Sequence, residues 1–201
     1  MQEIFPGVFH WTTFHEPIHT RVSSYYVQPA GVAIDPKIPE QGLEALPGQP
    51  QAVLLTSGHH HRDAQELASA FGIPIRASHE SAGYLGGSLS VELFSPGEQV
   101  VPGITAIHIG ELSDDEGAFH IAVADGAIAF ADGLIRYDGE LGFVPDELIG
   151  DDPEGVKAAL KEAFKGLLDR DFENLLFAHG DPLVGGGKEA LREFATSRDP
   201  L

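Results

Sequence analysis

The chain has 201 residues, 31 acidic against 12 basic, giving a formal charge of −19, and 42% of it is apolar. That field repels nucleic acid and anionic membrane surfaces, while the length suits a single domain able to bury about 70% of its unfolded surface. There is no cysteine, which excludes disulfides, thiolate metal sites and cysteine nucleophiles and leaves nitrogen and oxygen as the metal ligands.

The start, Met-Gln-Glu-Ile-Phe-Pro-Gly, has no basic opening and no apolar core, so it does not read as a signal peptide. No stretch approaches the ~18 apolar residues that span a bilayer. The expectation is a soluble, cytoplasmic protein whose partner is a small molecule, with neither nucleic acid nor membrane involved.

Residues 8–14 and 22–28 are rich in β-branched and aromatic side chains, bounded by Pro6-Gly7 and Pro29-Ala30-Gly31, and read as antiparallel strands. Residues 31–35 form a shorter apolar run stopped by Asp35-Pro36. Four prolines and two glycines in 36–50 suit a loop with at most one helical turn, near 43–46. The apolar run 52–55 ends in Thr56-Ser57-Gly58-His59-His60-His61-Arg62-Asp63. Ala64, Leu67, Ala68 and Phe71 then recur at helical spacing up to a Gly72 stop, and 73–78 reads as another strand. Residues 52–78 are thus a β-α-β unit with parallel strands and a right-handed crossover.

Gly83, Gly86, Gly87 and Pro96-Gly97 mark a loop-rich stretch. Strand character returns at 104–109, 118–124 and 127–131, with a hairpin signal at Asp125-Gly126 between the last two. Asp152 and Pro153 open a helix whose apolar stripe is Val156, Leu160, Ala163, Phe164 and Leu167. A strand at 175–178 ends in His179-Gly180-Asp181, and a last helix turns Leu191 and Phe194 inward. There is no short-period repeat, and the order of elements predicts an α/β layered fold in one domain, 1–201.

Several strand ends carry metal-ligand residue types. In extended backbone alternate side chains share a face, so His59, His61 and Asp63 would aim at one point while His60 points away. Imidazole and carboxylate suit zinc, iron or manganese. Without a metal the same residues are a polar loop, with Asp63 favouring the dipole of the following helix. Asp132 ends the strand 127–131, and His179 ends 175–178, where Gly180 permits close backbone approach. Glu111 is a weaker ligand candidate. His120 and the acidic run Ser113-Asp114-Asp115-Glu116 read as solvated faces.

This arrangement resembles the metallo-β-lactamase-fold hydrolase superfamily over nearly the whole chain. Ser23-Ser24-Tyr25-Tyr26-Val27 and Gly31-Val32-Ala33-Ile34-Asp35-Pro36 look like its opening strands. Leu55-Thr56 is similar to the strand end before its His-x-His-x-Asp-His signature. Gly110-Glu111 falls at a Gly-His pair, Asp132-Gly133 resembles the bridging aspartate, and His179-Gly180 resembles the final His-Gly. The resemblance implies an αββα four-layer sandwich with a metal centre at one edge of the paired sheets, where one or two metals bring the pKa of bound water to about 7.

The signature itself departs from the pattern. Counted without gaps from Thr56, its positions fall on Ser57, His59, His61 and Arg62; with a two-residue insertion, His59, His61 and Asp63 match and Ala64 replaces the last histidine. Both registers stay open. The implied ligands are His59, His61, Glu111, Asp132 and His179, on one divalent metal or none rather than two, zinc ahead of iron or manganese. Asp63 or His60 would orient water or shuttle a proton. The implied activity is hydrolysis of a small ester, thioester, amide or phosphoester by metal-bound hydroxide. The alternative is a catalytically inactive binding protein that keeps the fold, and an iron oxidoreductase is a third reading that lacks a flavin domain. The exposed aromatics expected at Phe14, Tyr84 and Tyr137 would mark any homo-oligomer interface.

Overall fold

The computed structural model describes residues 1–85 and 90–197; Gly86 and Gly87 of the expected loop lie outside them. Among the described residues, one sheet runs in chain order: β1 (Gln2–Phe5), β2 (Val8–His15), β3 (Thr20–Val27), β4 (Val32–Ile34), β5 (Ala52–Leu54), β6 (Ile75–Ser78) and β7 (Val91–Phe94). A second sheet is formed by β8 (Gln99–Val101), β9 (Ile104–His108), β10 (Gly117–Ile121) and β11 (Ala127–Phe130), with β12 (Ile135–Tyr137) and β13 (Glu140–Gly142) as a separate hairpin. β14 (Asn174–Phe177) returns to close that second sheet beside β11, in parallel.

Strand alternation builds the layers. Val32 and Ile34 of β4 and Ala52 and Leu54 of β5 face Ala127 and Ala129 of β11 and Leu176 of β14 in a core between the sheets. The intervening residues Ala33 and Val53 face outward, where Leu67 and Ala68 of α1 (Ala64–Phe71) cover them. On the far side, Ile128, Phe130, Leu175 and Phe177 pack under α2 (Pro153–Lys165) and α3 (Gly187–Thr196) through Leu160, Phe164, Leu191 and Phe194. The order of layers is therefore α1, first sheet, second sheet, α2 with α3. Burying each of the large side chains is worth about 1.5–3 kcal/mol, and the inner strands, covered on both faces, are apolar at successive positions.

The sheets are also pinned by hydrogen bonds: Tyr25 Oη donates to Phe177 O at 2.8 Å and accepts from Phe177 N–H at 3.0 Å. The expected β-α-β unit is present, with β5 and β6 parallel and Gly72 ending α1 at φ 66°. The hairpin at Asp125-Gly126 joins β10 and β11, and Asp152 caps α2 through Gly155 N–H. Among the described residues, β1, β7, β8, β12 and β13 are strands where the sequence suggested loop or nothing. No described helix is long and apolar enough to cross a membrane.

Candidate metal centre

Three strand ends meet at one edge of the paired sheets: the turn after β5, the residue after Ala131, and the residue after Ala178. Residues Gly58–His61 wind into a tight helical turn, with His60 at φ −92° and ψ 20°. That conformation removes the alternation expected of an extended loop, and it reverses the expected roles of the three histidines. His60 turns inward and is 4% exposed, whereas His59 and His61 face solvent.

His60, Asp132 and His179 form the group. One ligand atom from each lies within 4.8 Å of the others. His60 Nε2 and His179 Nε2 are each 3.2 Å from Asp132 Oδ1. Neither approach is aligned as a hydrogen bond, and Asp132 Oδ1 is a buried oxygen without one. Three ligand-type atoms thus converge, as an ion pair when His60 is protonated and as a donor set for a cation when it is neutral.

The far side of the His60 ring is held by Asp35, which is 2% exposed and sits at φ 45° just past β4. Asp35 Oδ1 accepts Thr56 N–H at 2.9 Å, and Oδ2 accepts the Thr56 hydroxyl at 2.5 Å. Since Thr56 Oγ1 gives its only proton to Asp35, its 3.0 Å contact with His60 Nδ1 makes it an acceptor there, beside Asp35 Oδ2 at 3.1 Å. Nδ1 therefore carries a proton in either charge state, and in the neutral ring Nε2 is left with the lone pair that a metal would take, the carboxylate–histidine pairing that orients a metal-ligating imidazole. Burial works against charge on His60, yet Asp132 and then Asp35 hold its pKa up to about 10. Burial likewise pushes Asp132 up, but His60 and His179 outweigh it and keep the carboxyl well below its usual range. Without a metal, the cluster is a buried ion network.

Two imidazole nitrogens and one carboxylate oxygen are a donor set that suits zinc or iron, and the orphaned Asp132 oxygen fits a cation there. His60 and His179 side chains are 6% and 13% exposed, but Asp132 is 31% exposed, so the group is open on one side. The other expected residues do not join it. His59 packs its ring 4.8 Å from that of Tyr84, and His61 Nδ1 bonds to Gly58 O at 3.0 Å. Glu111 is exposed beyond β9. Asp63, expected to handle a proton, is taken up by Lys37 Nζ at 2.9 Å and Ile38 N–H at 2.8 Å at the start of α1. The expectation of a solvated acidic run also needs correcting. Asp115 and Glu116 are 1% and 2% exposed, because hydrogen-bond donors of the site loops surround them.

No protein-family model and no curated protein matches the chain. Solved structures do match. A di-iron-bound form of TTHA1623 shares 23% identity over 90% of this chain and 96% of that one, with a TM-score of 0.66. TMB-1, described by its substrate and inhibitor binding, covers 96% of this chain and 95% of its own at 15% identity and a TM-score of 0.71. A metallo-β-lactamase family protein from Thermus thermophilus, TTHA1429, aligns at 14% identity and a TM-score of 0.65, over 96% of this chain and 79% of its own. The chain has the metallo-β-lactamase fold.

Within that fold, the departures noted in the sequence acquire partners. Ser57 Oγ donates to Asp115 Oδ2 at 3.0 Å and accepts His59 N–H at 3.2 Å. Arg62 Nη1 donates to Ser23 O at 2.6 Å and Asp35 O at 2.8 Å, and Nη2 to Ala178 O at 3.4 Å. Its guanidinium thus ties β3 to the chain just past β4 and to the residue before His179. Asp35, Thr56, Asp115 and Glu116 were not anticipated as parts of the site. Only the placement of Asp35 and Thr56 at strand ends could have pointed to the first two.

Proposed function

We propose that the chain is a metal-dependent hydrolase of a small ester, thioester, amide or phosphoester, with one divalent ion held by His60, Asp132 and His179. The observation carrying this reading is the convergence of two imidazole Nε2 atoms and an unbonded Asp132 oxygen on shared space. A bound divalent ion would supply a coordinated water acidified toward neutral pH and would polarise the scissile group. The chain's own residues do the rest. Asp35 fixes the His60 tautomer, Arg62 holds the backbone on either side, and the exposed flank of Asp132 leaves an approach for substrate.

A separate cleft of about 430 Å³ is lined by His10, Thr12, Arg21, Glu40 and Asp181 among others and by none of His60, Asp132 or His179. Its size suits a small molecule. Burial lowers His10 there to about 4, so it stays neutral. A charge of −19 further disfavours polyanionic substrates. Zinc is our choice of ion, and the same donor set would take iron.

A second reading, a binding protein without catalysis, is favoured by one observation: His60 between two carboxylates makes the metal-free cluster self-compensating in charge. Hydrolysis of p-nitrophenyl acetate, an acyl thioester and p-nitrophenyl phosphate separates the two. The hydrolase reading expects turnover of at least one, abolished by chelator, restored by zinc, and lost by more than 100-fold in Asp132→Ala. Zinc binding with no turnover of any of the three would leave the binding protein standing.

A further inference from the structure

Asp115 and Glu116 are consecutive, almost wholly buried, and aimed in opposite directions at two of the three loops that carry the cluster. Asp115 Oδ2 accepts Gly58 N–H at 2.6 Å, the Ser57 hydroxyl at 3.0 Å and the Ser81 hydroxyl at 3.2 Å, while Oδ1 accepts the Ser113 hydroxyl at 2.8 Å. Those bonds grip the turn that presents His60. Glu116 Oε1 accepts Gly133 N–H at 2.6 Å, gripping the residue that follows Asp132. The Glu116 carbonyl accepts the N–H groups of Ile109 and Gly110, and its own N–H donates to Ser113 O, so the pair cannot drift from the end of β9. Next in the chain, Gly117 begins β10 so close to Thr56 that a Cβ there would stand 2.8 Å from Thr56 O. The first sheet's β5 exit and the second sheet's β11 exit are therefore joined through three consecutive residues, 115–117.

We propose that Asp115 and Glu116 are positioning residues that set the His60 turn and the Asp132 turn at ligand spacing before any metal arrives. The inference rests on the metal-centre reading above. In a centre with more ligands the ions themselves tie the strand ends together. Here Ser57, in the register without gaps, and Glu111 stand where the resemblance implies further ligands, and neither belongs to the converging group. Hydrogen bonds from a buried acidic pair supply the missing tie. Removing outer partners of this kind lowers metal affinity by about 10–100-fold. The two side chains also differ in what they need. Asp115 serves four donors and requires both oxygens, whereas Glu116 offers one oxygen to Gly133 N–H, which a glutamine carbonyl can replace.

Zinc titration of metal-stripped full-length protein, with circular dichroism and thermal unfolding in chelator, tests this. The expected result is a zinc Kd raised 10-fold or more in Glu116→Ala and Asp115→Ala and about 3-fold in Ser57→Ala, with Glu116→Gln within about 3-fold of the parent. Ser57→Ala and Glu116→Gln keep the proposal testable if the alanine variants do not fold. Parent-like zinc affinity in folded Glu116→Ala or Ser57→Ala, or Glu116→Gln behaving like Glu116→Ala, would overturn the positioning role while leaving the centre intact. Absence of zinc binding by the parent would instead overturn the metal-centre reading, and this proposal with it.

Discussion

Arg62 stands at φ 37° and ψ −115°, a backbone conformation that costs a non-glycine residue about 1–3 kcal/mol. It is held there because its guanidinium satisfies backbone acceptors from Ser23, Asp35 and Ala178 at once. Arg62→Ala leaves those carbonyls short of a charged donor, each such bond being worth about 1.5–3 kcal/mol. The expected loss is about 2–4 kcal/mol, read as a lower midpoint in urea unfolding; an unchanged midpoint would contradict the structural role. At this scale the sequence drew attention to the histidine triplet with His59 and His61 inward, and the structure instead brings His60 together with Asp132 and His179. His60 takes the inner position because the turn is tightly wound and kinked at His60 instead of extended, and a run of three identical residues gives no cue as to which ring faces in. Asp115 looked solvated because a carboxylate's burial depends on donors, Gly58 N–H and the Ser57 and Ser81 hydroxyls, that are 34 to 58 residues away.

The strands were readable in proportion to how deeply they are buried. β4, β5 and β11 lie inside the sheets, while β14 is an edge strand covered on both faces, and their continuous apolar runs follow from that double cover. β7 and β8 lie at sheet edges, where Glu92, Leu93 and Gln99 remain exposed and the apolar pattern breaks. The end of β14 carries a stricter constraint. Gly180 sits at φ 99°, and a Cβ there would come within 1.7 Å of Arg136 O, in the bridge that ties this loop to β12. Close backbone approach at Gly180 was anticipated from His179-Gly180; its partner was not, because β12 itself had no readable pattern. Gly180→Ala must move either loop, and a loss of about 3 kcal/mol or more is expected, combining φ strain and overpacking. Urea unfolding checks it, and a change below about 1 kcal/mol would show that the loop is freer than described.

For the molecule as a whole, charge and site point the same way in pH. Burial raises Glu116 to about 8, with the Asp132 carboxylate adding to it, while the flanking carboxylates overcome burial to hold His60 near 10. Both groups bind protons more tightly folded than unfolded, where their ordinary values are 4.5 and 6.5. Stability from Glu116 is therefore complete below pH about 4.5 and lost up to about 8, and that from His60 is complete below about 6.5 and lost up to about 10. Asp132 has the opposite sign, but only below its usual range. The growing self-repulsion of a strongly acidic chain adds to the decline. Burial lowers His10 to about 4 and also lowers His15, which adds stability as pH rises toward about 6.5, so the window lies above that: in chelator, Tm should fall from pH 6.5 to 9, and a Tm that rises over that interval would contradict the assigned charge states.

The central claim is a single-ion centre built on His60, Asp132 and His179. Calorimetric zinc titration of the metal-stripped protein tests it most directly, comparing the parent with His60→Ala, His59→Ala and His61→Ala. The account predicts about one zinc per chain in the parent, in His59→Ala and in His61→Ala, and none in His60→Ala. Zinc binding that survives His60→Ala but disappears in His59→Ala or His61→Ala would contradict it.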